Sequence, residues 1–302
     1  MGTSAALGPV VVGVSGSPDS DRAVDWAADY AASTNRRLLA VHGTGFVGVR
    51  PNAQDLLQAE RVALEAGQMI VDAAVERAQK NHPGLEASGV VDIGEPTSIL
   101  FEEGRHAALL VVGSRRSEAF KRLFGSVSLG VTRHATCPLV VVRPPSHRTP
   151  GTLIEHVVLG LDGGAESREA ARFAFEYASL TGLPLVIVHG SWERLSRGSS
   201  VLGLLTEAEE RGVTAEEELS IAETIAGLPQ EFPDVEHRDV HRSTDPAEAL
   251  IEASETAKLV VVGTRELRGP RALLLRSVST ALVEHAHCPV AVVRARGVHP
   301  VE

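Results

Sequence analysis

Two tandem copies of a parallel α/β domain are what this sequence predicts, and three observations predict them. First, the chain repeats itself. The segment VVVGVSGSPDSDRAVDWAADYAASTNRRLLAVHG returns as VVLGLDGGAESREAARFAFEYASLTGLPLVIVHG, and LLVVGSRRSEAFKRLFGSVSLGVTRHATCPLVVVR returns as LVVVGTRELRGPRALLLRSVSTALVEHAHCPVAVVR. Gly13 matches Gly160, His42 matches His189, Gly113 matches Gly263, and Cys137 matches Cys288. A repeat of about 150 residues is a whole domain, not a solenoid unit. Second, apolar runs alternate with segments of helical period, the order βαβαβαβαβ of a parallel sheet. Third, those runs are continuous rather than alternating, as strands covered on both faces require.

The elements follow in order. Strand one covers 9–15 and 156–162. A turn then leads to a helix starting near Pro18-Asp19-Ser20, where Asp or Ser caps free N–H groups. Val24, Ala27, Ala28 and Ala31 give that helix its buried face, and the alanines let it approach a sheet closely. Strand two covers 38–42 and 184–189, followed by long helices over 53–80 and 203–227. Strand three covers 87–94 and 237–243. Glu95-Pro96 and Asp245-Pro246 then open a helix with Pro in its first turn. Strand four covers 108–113 and 259–263, and the last strand 139–143 and 290–294. The domains are expected at 1–146 and 152–302, with the Pro-rich stretch 144–156 between them.

Composition narrows the function classes. The chain has 302 residues, 43% hydrophobic and 23% charged, ordinary for a globular protein. A net charge of −10 argues against general binding to nucleic acid or anionic membrane, both of which want a basic surface. No run reaches the length of a membrane span, and no signal-peptide pattern opens the chain. The two cysteines sit in equivalent Cys-Pro contexts, poor disulfide partners, so the expectation is a reduced, cytoplasmic protein with both thiols buried.

These residues resemble the universal stress protein family in its tandem, two-domain form. The resemblance rests on the opening VxxGxxGS(P) before a helix, the VVVGS/T strand, the GSVS-type loop and the HxxCPVVVV ending. It implies two five-stranded, Rossmann-like domains in a stress-response regulatory protein without enzymatic activity. Some members bind ATP, with Mg²⁺ accompanying it, and others do not. The binders carry G-x2-G-x9-G-[S/T] after strand four and an acid after strand one. Glycines let backbone approach phosphate, and the next helix offers free N–H groups.

By that resemblance the nucleotide-side residues of the first copy are Ser15, Val41 (an adenine-side backbone contact), Gly113, Ser114, Arg116, Gly125, Ser126 and Ser128. Those of the second are Asp162, Val188, Gly263, Thr264, Ser277 and Ser279. Neither motif is complete. The first copy has Arg116 for the second glycine, a spacing one residue short, and Ser15 for the acid. The second keeps Asp162 but has Glu266 and Arg276 for two glycines. Arg removes easy access to positive φ yet is itself a good phosphate donor. Cationic side chains then either replace the backbone contacts or fill the anion site themselves. Three functions stay open: a nucleotide-responsive regulator, a nucleotide-independent scaffold for a protein partner, and a weak ATPase.

Other motifs read as structural. Gly43-x-Gly45-x-x-Gly48 follows strand two rather than strand one and has no counterpart in the second copy, so it reads as a loop. His285-Ala-His287-Cys288 lacks further ligands at zinc spacing and reads as a helix end. His42 and His189, at the ends of strand two, have no paired nucleophile and read as pocket walls. The last strand of each copy is an apolar edge. Family members commonly pair these edges, which implies an intramolecular pseudo-dimer able to form a homodimer.

Overall fold

The computed structural model describes residues 8–45, 53–114, 135–144, 155–161, 165–190, 215–242, 244–263 and 278–294. They fall into two compact units, one ending at Pro144 and the other beginning at Glu155.

In unit 1, β1 (Val10–Gly13), β2 (Leu38–Gly43), β3 (Ala87–Asp92), β4 (Leu109–Gly113) and β5 (Leu139–Val142) form one parallel sheet in the order β3-β2-β1-β4-β5. Val10, Val11 and Val12 of the central strand have no exposed surface. Each side chain so buried contributes about 2 kcal/mol of transfer free energy. Helix α1 (Pro18–Ser33) lies beside α2 (Ala53–Asn81) on one face, and α3 (Pro96–Gly104) packs on the other. Val24, Ala27, Ala28 and Ala31 are all buried, as the helical spacing predicts.

The cap of α1 is Ser17, not the Asp19 or Ser20 that the sequence suggested. Its Oγ accepts from the Ser20 N–H at 3.3 Å, and Pro18 takes the first helical position, where no N–H is needed. Glu95 caps α3 by accepting from the Ser98 N–H at 2.9 Å. Burial opposes ionisation of Glu95, but hydrogen bonds from Thr97 and Ser98 outweigh it and hold the carboxyl below its ordinary value.

Unit 2 repeats the sheet with β6 (His156–Gly160), β7 (Leu185–Gly190), β8 (His237–Arg242), β9 (Ala257–Gly263) and β10 (Val290–Val293), ordered β8-β7-β6-β9-β10. Its described helices are α4 (Ala165–Thr181), α5 (Ala215–Ile225), α6 (Leu228–Glu231), α7 (Pro246–Ala253) and α8 (Val278–His285). Asp245 caps α7 with bonds from Ala247 and Glu248. The expected helix over 203–227 is described from Ala215 and ends at Ile225, its first residues lying outside the described ones. Gly227 takes φ 87°, and Pro229 follows, so the chain breaks into α5 and α6 where α2 runs on to Asn81. Cys137 and Cys288 are both buried, Cys137 lying 3.8 Å from where a Cβ on Gly104 would stand.

Candidate functional site

In each unit the strand order reverses between the first strand and its fourth: β1 and β4, then β6 and β9. The crevice beyond the carboxyl ends at such a switch point is where open α/β sheets bind ligands. In unit 1 that crevice is framed by the Ser15–Ser17 turn, the end of β2 and the Gly113-Ser114 step.

The turn is held locally. Gly16 sits at φ 68°, a conformation side chains rarely adopt, and lies against Ile70 of α2. The Ser15 and Ser17 hydroxyls are 3.0 Å apart, which leaves Ser15 exposed at the mouth. On the far side β4 closes directly onto α1. A Cβ on Gly113 would stand 2.5 Å from the Asp19 carbonyl oxygen, so only glycine fits. Ser114 follows with 1% exposure; its N–H donates to the Val142 carbonyl at 2.8 Å, while its hydroxyl has no hydrogen-bond partner. Leaving a buried hydroxyl unpaired costs about 1–3 kcal/mol, a penalty usually met by water or ligand.

The end of β2 corrects one detail of the sequence reading. Val10 and Val14 donate to the carbonyls of Arg37 and Val41, so the odd-numbered residues of β2 face β1. Val41 is the acceptor of the last rung and is buried. The next β1-facing backbone position, past that rung, is Gly43. His42 turns its Nδ1 to the Val14 carbonyl at 2.8 Å and tethers the two strand ends. A cleft of about 360 Å³ opens beside this turn, with Val14, Gly16 and Ile70 among its apolar walls and Ser20, Asp21 and Arg77 at its polar side. The Arg77 guanidinium is already paired along one edge. It grips Asp25 with two bonds of 2.6 Å, and that hydrogen bonding raises its pKa further. Asp19 and Asp21 already complement the α1 dipole.

In unit 2 the same frame recurs. The Leu161 N–H donates to the Val188 carbonyl at 3.4 Å, placing buried Val188 in the last rung as Val41 is. Gly263 ends β9, and Ser279 is buried in the first turn of α8. Arg116, Gly125, Ser126, Ser128, Asp162, Thr264 and Ser277 lie outside the described residues. So do the arginines and Glu266 of the two loops. Of the residues named from sequence, the structure thus brings Ser15, Gly113 and Ser114 to one crevice. Gly16 and Ser17 stood in the opening motif without a site role, and Gly43 was read as part of a loop. The Ser-Pro pair could have revealed the cap, and the two-residue ladder period could have revealed Gly43.

Comparison with known proteins agrees with this architecture. The description of the Universal stress protein family matches residues 7–143 and again 154–294. A universal stress protein of Mycobacterium tuberculosis is 33% identical over 295 residues, covering 94% of this chain and 96% of that one. One from Mycolicibacterium smegmatis is 32% identical over 296 residues, covering 95% and 97%. Among solved structures, a universal stress protein from Archaeoglobus fulgidus superposes with a TM-score of 0.70 at 17% identity, covering 95% of this chain and 98% of that one. With two copies of the family's domain, each built on the same five-stranded parallel sheet, this chain belongs to the universal stress protein family.

Proposed function

We propose that this chain is a cytoplasmic, non-enzymatic stress-response regulator that takes an adenine nucleotide, ATP with Mg²⁺, in the crevice of unit 1 and passes its occupancy to a protein partner. The observation that carries this reading is Ser114: a wholly buried, unpartnered hydroxyl directly after Gly113 at the switch point. The residues present fit a nucleotide in part. Gly113 and Ser114 suit the phosphate side, and Gly43 offers backbone on the adenine side. Ser15, standing where the family's binders carry an acid, offers ribose a hydroxyl in place of a carboxylate. The nucleotide supplies a ligand-dependent state of the crevice, and the chain's residues bind and orient it.

A second reading, a nucleotide-independent scaffold, is favoured for unit 2. There Glu266 and Arg276 replace two loop glycines, and a carboxylate near phosphate repels it.

The test begins with protein purified without added nucleotide and then denatured. Released adenine nucleotide is quantified by chromatography, and calorimetry follows ATP binding to the emptied protein. Wild type should carry or bind nucleotide. Ser114→Ala should bind about tenfold more weakly, the worth of one hydrogen bond to a charged group, and Gly125→Asp should bind none. An empty protein that ignores millimolar ATP would overturn the reading for unit 1.

A further inference from the structure

The two units differ on one sheet face. In unit 1, α2 closes tightly over β2 and β3. A Cβ on Gly67 would stand 2.6 Å from Val91 Cγ1 and 2.8 Å from His42 Cδ2, and one on Gly89 would collide with Val71. His42 and Val91 are partners in the β2–β3 register.

Unit 2 keeps the histidine and replaces the rest. Its β7–β8 register pairs Ile187 with Asp239 and His189 with His241. His241 therefore stands where Val91 does, and Asp239 where Gly89 does. The β8 residues 237, 239 and 241 share one face, and the ring of Phe175 on α4 lies 5.6 Å from that of His237, so this face looks toward the helices. Thr224 and Leu228 are buried as Ala74 and Ala78 are, so the helix position of Gly67 corresponds to Glu217. The neutral, glycine-sealed surface of one copy has become histidine and carboxylate in the other.

We infer that unit 2 holds a divalent first-row transition metal between His189 and His241. Register partners on neighbouring strands share a face with their backbones about 4.8 Å apart, which lets two imidazoles converge on one ion with Zn–N distances of about 2.0–2.1 Å. His189 is 9% exposed, inside the fold rather than on its surface. The His241 Nδ1 atom is buried without a hydrogen-bond partner. In unit 1 the equivalent His42 shows how such a ring is oriented, with one nitrogen on a backbone carbonyl and the other turned toward α2 at Gly67. Metal-binding histidines are commonly held in this manner. Imidazole donors suit zinc, nickel or copper rather than calcium or magnesium. Among the described residues no three His, Cys, Asp or Glu side chains gather into a complete ligand set. Two imidazoles with water completing the shell make a site weaker than a four-ligand structural zinc centre.

The test uses the full chain, stripped of metal by chelator and titrated with Zn²⁺ by calorimetry and with Co²⁺ by visible absorption. One metal per chain is expected, with d–d bands appearing on Co²⁺ addition. His241→Val, which installs the residue of unit 1, should weaken binding at least tenfold. His82→Asn, which removes a surface imidazole from unit 1, should leave it unchanged. Should the valine variant fold poorly by near-ultraviolet circular dichroism, His241→Gln takes its place. Absence of d–d bands in wild type, or equal Zn²⁺ affinity in the His241 variant, overturns the assignment.

Discussion

The face of unit 1 beneath α2 and the matching strand face of unit 2 began from one fold and now follow different packing rules. In unit 1, glycines at 67 and 89 remove the atoms that would hold helix and sheet apart, and Val71 and His42 fill the space. In unit 2 the same strand positions are His241 and Asp239, with Asp239 exposed and the covering helix broken at Gly227. The lesson is that the sheet tolerates either a glycine seam or a polar one. A residue borrowed from one copy carries its cost into the other.

Exchanging residues between the copies should break this comparison most severely. Gly67→Glu puts a charged side chain at a buried position, where overpacking alone costs about 1–3 kcal/mol and a buried unpaired carboxylate more, and Gly89→Asp drives its Cβ into Val71. Thermal or urea unfolding should show unit 1 losing several kcal/mol. The reverse change, Asp239→Gly, should move unit 2 by less than about 0.5 kcal/mol, since it touches an exposed site.

A smaller effect is expected from the ion pairs that lace the helices. Arg77 binds Asp25 in unit 1, and Arg172 binds Glu231 in unit 2 with bonds of 2.6 and 2.9 Å. Each is partly exposed, so Arg77→Ala and Arg172→Ala should each cost about 0.5–1 kcal/mol and should converge on wild type at high salt. A loss confined to one variant would show that the two seams use their charges differently.

The smallest effect concerns pH. The Glu95 carboxyl has a lowered pKa in the folded state, so its contribution is present above its unfolded pKa and lost as pH falls through the folded value. Glu95→Gln should therefore cost about 0.5–1 kcal/mol at neutral pH, the usual worth of a cap. In urea melts repeated at falling pH, that difference should shrink through the acidic carboxylate range. A difference that persists there would assign the cap's value to packing.

Much of this molecule was legible in its residues because its signals are local. Continuous Val and Leu runs placed all strands but β3 and β8 within a few residues, and the Glu-Pro and Asp-Pro pairs placed the starts of α3 and α7. The repeat itself made Gly113 stand out, and the contact with Asp19 supplies the reason. What stayed hidden depends on register across elements. Val41 and Gly43 differ only in which rung of the ladder they occupy. Gly89 looks like any strand glycine until Val71 is placed against it. His189 and His241 are far apart in the chain and read as unrelated, because only the β7–β8 pairing makes them neighbours.

One consequence follows from how β1 is paired. It begins at Val10, yet the strand that completes its second side, β4, begins at Leu109. In unit 2 His156 likewise meets Ala257. During synthesis the first apolar strand leaves the ribosome and gains β2 early, but its other edge stays open until about a hundred more residues are made, several seconds at ordinary elongation rates. Each unit thus leaves one edge of its first strand open once, so this happens twice in all per chain made. Slowing translation between α2 and β4 should prolong that exposure in unit 1.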